Sequence, residues 1–387
     1  MKLISIEKAK GLRNKKVLVR VDFNVPLENG KVKEDYRIRA AVPTINFLTS
    51  HGAKVILIAH LGDPKGAVVP ELSLKPVAAA LSKIIKQPVS FVSETVGYKA
   101  DNEVAKMVAG EIICLENLRF NEGELINSLK FAKHLAGLAD IYVNEAFSVC
   151  HRAQASVSAI RKCLPTYFGL QLMNEVTNLD KILKPKKPLV VIMGGAKIST
   201  KAPLISKMTG LADQVLLGGG LANNFLKQQK KEIGKSLFDK DSEVFVKKFF
   251  KGRKLMEKII LPVDVVVCDR QKKVKIKNVD EVNKSDAILD IGPDTIAMFA
   301  SYIKKAQTIV WNGPLGKFED SPYKHGTLAI ATAVAARSTG KAYGLVGGGE
   351  TVEALKQTKM ESYVDFVSTA GGAMLSYLGG EKMPGLK

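Results

Sequence analysis

The sequence predicts an α/β protein: two Rossmann-like domains, each a parallel sheet flanked by helices, joined by a hinge helix. Three observations point there. The chain has 387 residues, and single hydrophobic cores stop growing beyond roughly 250–300. Short Val/Ile/Leu-rich runs recur with helix-length segments between them, the pattern of parallel strands covered on both faces. Finally, "LPTYFGLQLMNEVTNLDKILKPKKP" places an amphipathic helix between two proline-marked ends, with Leu170, Met173, Val176, Leu179 and Leu183 at helical spacing. Residues 1–167 then form one domain, 168–187 the connecting helix and hinge, and 188–371 a second domain.

Taken in order, the first-half strands are "KVLVRVDF", Lys54–His60, Pro88–Val92, Glu111–Asn117 and Asp140–Ala146. The first is read from Val17 to Pro26. Val17, Val19, Val21, Phe23 and Val25 make one face, Arg20, Asp22 and Asn24 the other, and Pro26 forbids further pairing. The second-half strands are Pro188–Gly195, Asp213–Gly220, Val263–Asp269, Thr308–Pro314, Ala342–Gly349 and Tyr363–Gly372.

Composition narrows the class. Hydrophobic residues make up 46% of the chain, and no uninterrupted apolar run reaches the roughly 20 residues of a membrane span. "MKLISIEKAKG" has no signal-peptide pattern, and Cys114, Cys150, Cys163 and Cys268 form no CxxC pair. Reduced thiols, a cytoplasmic location, no zinc site and a monomer are the expectations. The formal net charge is +20, fed by stretches such as Lys184–Pro188 and Gln271–Asn278. Such a surface is a solvated face, a field that attracts anionic metabolites, or a nucleic-acid site. Aromatic residues do not interleave with these lysines, which argues against a single-strand platform.

Ligands in open parallel sheets lie outside the carboxyl ends of the strands. The two halves differ in what they place there. First-half strands end in Asp22 and Asn24, in His60, in Asn117 then Arg119, and in Asn144 then Glu145. Arg37, Arg39, His151 and Arg152 follow close behind. Several guanidinium groups on one sheet edge suit a small, multiply charged anion, because their planar forks bind carboxylate and phosphate bidentately. Second-half strands end in glycine clusters at Gly194–Gly195, Gly218–Gly220, Gly313, Gly347–Gly349 and Gly371–Gly372. Glycines serve tight turns, and they also let backbone N–H groups approach phosphates. Lys197 and Lys201 would share a helix face if a helix began near Ile198, and Glu350 suits Mg²⁺. Neither GxxxxGK[ST] nor a strand-borne GxGxxG is present, so a P-loop is excluded. An anion site in one half and a nucleotide site in the other read as phosphoryl transfer.

Ten ordered blocks then carry a resemblance. "VRVDFNVP", "AHLGDP", "ENLRF", "GGAKIS", "LLGGGLA", "LPVD", "DIGPDT", "VWNGPLGKFE", "GGGET" and "VSTAGGAMLSYLGGEKMPG" resemble the motifs of the phosphoglycerate kinase family over essentially the whole chain. The resemblance implies reversible transfer of the acyl phosphate of 1,3-bisphosphoglycerate to MgADP, giving 3-phosphoglycerate and MgATP. It also implies hinge closure that expels water, and a C-terminal segment, residues 372–387, that packs back on the first domain. Carried over by position, the phosphoglycerate site comprises Asp22, Phe23, Asn24, Arg37, His60, Leu61, Gly62, Asp63, Arg119 and Arg152. The nucleotide site comprises Gly195, Lys197, Lys201, Gly220, Asn312, Pro314, Glu319, Gly347, Gly348, Gly349, Glu350 and Thr351, with Glu350 also holding Mg²⁺. Arg37, Lys197, Lys201, Gly371 and Gly372 act on the transferring phosphoryl group. Phosphoryl transfer needs alignment and charge neutralisation and no general base here, since a carboxylate oxygen is the acceptor. Arg20, farther back on its strand, is expected to balance Asp22 or neighbouring acids.

The chain departs from the family pattern at five places. Asp63 stands for an arginine, which weakens phosphate binding unless the side chain turns away or Lys65 compensates. "SVCHRAQAS" replaces the family's GTAHRAHAS, Thr200 an aspartate, Glu350 an aspartate, and Ala370 a glycine, adding a Cβ near the phosphate path. These changes leave open a nucleotide-binding protein with weakened catalysis.

Overall fold

A computed structural model describes residues 3–199 and 201–387. Two compact units emerge: the chain up to Thr177 together with Lys382–Lys387, and Asn178–Glu381. The helix Leu170–Leu183 contains the division. Its buried apolar face is Leu172, Val176, Leu179 and Ile182, rotated from the predicted stripe because Glu175 and Asn178 are buried beside it. The C-terminal stretch divides as well. The helix Gly372–Gly379 groups with the second unit, and only Lys382–Lys387 group with the first.

The first unit is built on β1 (Lys16–Arg20), β2 (Lys54–Ile58), β3 (Ser90–Val92), β4 (Ile112–Leu115), β5 (Ile141–Asn144) and β6 (Thr166–Phe168). They form one parallel sheet in the order β3-β4-β2-β1-β5-β6. Near-continuous burial of Val17 to Arg20 and Val55 to Ile58 explains why these runs lack alternation. The order reverses between β1 and β5, where Arg20 pairs with Asn144, so the crevice beyond their carboxyl ends is the natural ligand position.

The second unit uses β7 (Leu189–Met193), β8 (Gln214–Leu217), β9 (Ile259–Ile260), then β10 (Asp264–Cys268), β11 (Val274–Asn278) and β12 (Ala287–Ile291), and last β13 (Thr308–Asn312), β14 (Tyr343–Gly347) and β15 (Phe366–Ser368). Its parallel sheet runs β9-β8-β7-β13-β14-β15, the doubly wound order of a dinucleotide-binding fold. The reversal lies between β7 and β13, where Met193 pairs with Asn312. Trp311, fully buried, anchors this sheet to the helices that cover it.

Two strand expectations are corrected. The β1 ladder stops at Arg20, so Asp22 and Asn24 stand on the segment after it, where buried and open positions alternate only from Val21 to Val25. Asp264–Cys268 belongs to a separate antiparallel sheet, ordered β11-β10-β12, and not to the parallel one. Strands β6, β9, β11 and β12 and the small hairpin Leu27–Glu28/Lys31–Val32 were not expected; they are two to five residues long or interrupted by charge. On the lysine-rich edge strand β11, Lys275 pairs with Asp269 and Lys277 with Asp286, each at 2.7 Å. Part of that basic stretch is thus locally neutralised, and charge protects the open edge.

Candidate functional site

Each unit carries its own constellation. In the first, Asp22 is held at 2.7 Å by the Arg37 guanidinium and at 2.7 Å by the Ser148 hydroxyl, which donates to the same oxygen. Arg37 comes from the first turn of the helix Tyr36–Ser50. Asn24 Oδ1 accepts the Gly62 N–H at 2.9 Å, tying the post-β1 segment to the post-β2 loop. Asn117 ties the post-β2 and post-β4 loops together: its amide donates to Leu61 O at 2.7 Å and accepts the Leu61 N–H at 3.2 Å. That clasp sets Arg119 on the turn Leu118–Phe120, where Nη1 donates to Gly62 O at 2.6 Å. Gly62 has φ +62°, and a Cβ there would lie 2.8 Å from Leu72. Phe23 and Leu61 bury their side chains in the core, so only their backbone can meet a ligand.

His60 lies at the centre of a positive field. Burial first, then the charges of Arg20, Arg119, Arg152 and Arg37, hold its pKa well below the ordinary histidine value, so the ring is neutral. Burial and the neighbouring Arg152 and Arg20 also lower the Arg119 pKa, with Asp63 and Glu124 opposing. Arg119 Nε is buried without a partner, and Arg152 is exposed. Guanidinium groups gathered this way repel one another, and an anion relieves that repulsion. Asp63 does not turn away: its carboxylate lies 3.7 Å from Arg119 Nη1. Arg20 does not balance Asp22; it is buried and bonded to His60 and Ser156.

In the second unit the glycine clusters prove to be of two kinds. Gly194, Gly218, Gly219, Gly220 and Gly313 pack loop against loop. A Cβ on Gly194 would sit 1.9 Å from Pro314 O, and one on Gly220 2.7 Å from Ala196 O. Gly349 and Gly371 face open space, with nothing within 4 Å of an added Cβ. Gly349 opens the helix Gly349–Gln357, and Gly371 caps Gly372–Gly379 with φ +48°. These two helix starts retain free room for an anion. Ala370 is buried, so its methyl group does not enter that room. Thr200 lies outside the described residues.

Lys197 and Lys201 do not share a helix face, because the helix runs Ala202–Leu211 and Lys201 is its N-cap. Pro203 at the second helical position favours that late start. Lys201 Nζ turns inward to Gly194 O at 2.7 Å. Burial lowers its pKa to about 8, with the Glu350 carboxylate opposing the fall. Lys197 is exposed. Asn312 donates to Gly347 O at 2.7 Å, and Thr351 Oγ1 accepts the Gly313 N–H at 2.6 Å, so both join the post-β13 and post-β14 loops. A Cβ on Gly348 would meet the Asn312 amide at 2.9 Å.

Beside these loops lies a cleft with a cavity volume of ≈ 170 Å³, walled by Leu226, Leu237, Val265, Ile288, Leu289 and Leu315. Gly195, Gly220, Pro314, Glu319 and Glu350 line it, whereas Lys197, Lys201, Asn312, Gly347, Gly348, Gly349 and Thr351 do not. Apolar walls with carboxylates at the rim suit a planar base and its sugar. The sequence missed Asp290, which also lines the cleft; burial raises its pKa to about 7 although it accepts N–H bonds from Gly326 and Ile291. It missed Ser148 as well, which replaces a glycine of the resembled pattern and donates to Asp22. Among the described residues, no group of three or more His, Cys, Asp or Glu side chains could hold a metal ion. The exposed Glu350 carboxylate beside the cleft fits an Mg²⁺ that arrives with phosphate ligands of its own.

Comparisons with known proteins agree with one another. The profile of the family "Phosphoglycerate kinase" matches residues 6–381. A phosphoglycerate kinase of Caulobacter sp. (strain K31) is 44% identical over 381 residues, covering 97% of this chain and 96% of its own length. One from Methylorubrum extorquens (strain PA1) is 43% identical over 392 residues, covering 99% and 97%. The solved phosphoglycerate kinase of Coxiella burnetii superposes with a TM-score of 0.89 at 38% identity, over 100% of this chain and 98% of that one. That of Pyrococcus horikoshii gives 0.81 at 28% identity, over 99% and 98%.

Proposed function

The chain belongs to the phosphoglycerate kinase family, and on that premise we infer that it is an active kinase transferring the acyl phosphate of 1,3-bisphosphoglycerate to MgADP, reversibly, with a carboxylate as acceptor. The first unit is the phosphoglycerate domain and the second the nucleotide domain. The observation that carries this reading is the gathering of Arg37, Arg119 and Arg152 around the neutral His60, with Arg20 behind it.

In this reading Asp22 and Asn24 bind the hydroxyl and carboxyl end of phosphoglycerate, while His60, Arg119 and Arg152 bind its phosphate. Leu61, Gly62 and Phe23 contribute backbone. Arg37, freed from Asp22 by the incoming ligand, neutralises the transferring phosphoryl group from the substrate side. Lys201 does so from the nucleotide side, leaving Gly194 O for the phosphates, with Lys197 and the amides at Gly371 and Gly372 in support. The cleft takes the base, Glu319 and Asn312 the ribose and phosphates, and Thr351 stands beside them. When bound, Mg²⁺ neutralises phosphate charge, and Glu350 is the carboxylate that would hold it. No described helix is long and apolar enough to cross a membrane. A cytoplasmic monomer that binds no nucleic acid completes the proposal.

The test couples purified protein, ATP, Mg²⁺ and 3-phosphoglycerate to glyceraldehyde-phosphate dehydrogenase and follows NADH. Wild type should turn over, and Arg37→Ala should lose on the order of 100-fold or more in kcat. A wild type without turnover sinks the reading. One observation favours a weaker second one: Asp63 beside Arg119 opposes phosphate binding. Calorimetry that detects nucleotide binding without turnover would favour a binding protein.

A further inference from the structure

Arg20 has no exposed surface, yet it touches a residue read as a ligand contact. Its Nη2 lies 3.0 Å from His60 Nδ1, its Nε donates to Ser156 Oγ at 3.1 Å, and its Nη1 donates to Val21 O at 2.6 Å. The Ser156 hydroxyl in turn donates a hydrogen bond to Glu124 Oε1 at 2.7 Å, and the Ser156 N–H donates to Oε2 at 2.8 Å. Glu124 is wholly buried too. A chain of hydrogen bonds thus links Glu124, Ser156, Arg20 and His60, with Arg20 donating toward both ends, and it joins β1, the post-β2 loop, the helix Glu122–Leu125 and the Ser156 segment.

We propose that Arg20 is a positioning residue for phosphoglycerate recognition, fixing His60 as the Nε2–H tautomer so that the ring offers a hydrogen-bond donor to the anion. The proposal rests on the reading of His60 as a phosphoglycerate contact. A guanidinium has donors and no acceptor, so His60 Nδ1 must accept. A neutral imidazole carries one N–H, which is therefore on Nε2. The Nδ1–H tautomer or an imidazolium would set N–H against N–H at 3.0 Å. Arg20 cannot rotate away, since three of its nitrogens are engaged on different partners. Glu124 supplies the counter-charge that lets a guanidinium stay buried. The charges of Arg20, Arg37, Arg119 and Arg152 that face the ring reinforce its neutral form. The division of labour is physical: the arginines bring charge, and the histidine brings a directed donor without a further buried cation.

Long-range ¹H–¹⁵N correlation of the His60 ring in the ligand-free protein tests this directly. Between about pH 5 and 8 the wild type should show protonated Nε2 and bare Nδ1 throughout. Arg20→Met should give mixed tautomers and a ring that titrates. Its KM for 3-phosphoglycerate should rise about 10- to 100-fold with kcat and nucleotide KM nearly unchanged, as loss of a charge-assisted hydrogen bond predicts. In a His60→Ala background the same substitution should add little. Should Arg20→Met not fold, Ser156→Ala loosens the chain with less disruption and should raise the same KM several-fold in the same direction. An Nδ1–H or imidazolium signal in the wild type at neutral pH, an unchanged tautomer in the variants, or additive losses in the double variant would overturn the proposal. A wild type without turnover overturns the kinase reading instead; the ring spectrum still decides the role of Arg20, and calorimetric affinity for 3-phosphoglycerate replaces KM.

Discussion

Replacing Asp63 by Asn removes a carboxylate that lies 3.7 Å from Arg119 Nη1 and changes almost nothing in shape. Two unit charges about 4 Å apart interact by about 1 kcal/mol in a water-like medium and about 4 kcal/mol at an effective dielectric of 20. The Asp63 side chain is 67% exposed whereas that of Arg119 is 6% exposed, which places the interaction near the lower figure. A phosphate bound to Arg119 meets the same carboxylate as a repulsion of similar size. Asp63→Asn should therefore tighten 3-phosphoglycerate by about 1 kcal/mol, roughly five-fold in Kd. Asp63→Arg should gain about twice that, roughly 30-fold. Calorimetric titration of 3-phosphoglycerate without nucleotide measures both. The gain should shrink between about 0.05 and 0.5 M salt, because an exposed charge is screened. Unchanged or weaker binding in Asp63→Asn would show that Asp63 lies outside the field of the bound phosphate, and the reasoning would fail.

Further outcomes are expected elsewhere. Lys201 has a folded-state pKa of about 8, below the ordinary lysine value of 10.5, so kcat/KM for MgADP should fall as pH rises through about 8. Between those two values the unfolded chain holds more protons, so this group's contribution to ligand-free stability rises with pH; Lys201→Met should flatten both curves, and an unaltered rate profile would refute the assignment. Gly194→Ala forces a Cβ to 1.9 Å from Pro314 O and should cost about 2–4 kcal/mol in denaturant unfolding. Gly349→Ala meets nothing within 4 Å and should stay within about 0.5 kcal/mol. Burial raises the Glu145 pKa from 4.5 to about 7 despite bonds from Thr44 and the Gln171 and Leu172 amides. The folded state then binds more protons between those values, and stability falls as pH rises through them. Glu145→Gln should remove that part of the Tm dependence, and a curve parallel to wild type would contradict it.

Strong, long apolar runs such as "LVVIM" could be read from sequence because a strand buried on both faces needs nothing but β-branched and aliphatic residues. Ile259–Ile260 and Thr166–Phe168 escaped notice because two or three residues carry no periodicity, and only their neighbours in the sheet make them strands. Asp264–Cys268 has the composition of a parallel strand; its antiparallel partners, Val274–Asn278 and Ala287–Ile291, decide otherwise. At the sites, positions after strands could be read from order alone, but which glycines are packed and which are open could not. Gly194 and Gly349 look alike as letters, and only the approach of Pro314 separates them. The partners of Arg20 could not be read for a related reason. Its nearest acid in sequence is Asp22, while its partners come from Ser156 and His60, 136 and 40 residues away.

The residues that close the first unit are made after the whole of the second. Gly385 donates its N–H to Cys150 O at 2.9 Å, and its O accepts from the Asn144 amide at 3.2 Å. A side chain at Gly385 would strike Cys150 at 2.8 Å, and Arg161 donates to Pro384 O at 3.1 Å. The whole second unit, Asn178–Glu381, lies between these partners in the chain. On a ribosome, the first unit therefore waits with an open seam beside Cys150 while some two hundred further residues emerge, and at about 5–20 residues per second that interval lasts on the order of 10–40 s. Folding order and synthesis order are opposed here: the half that appears first is completed second, and the buried Cys150 thiol is reachable until then.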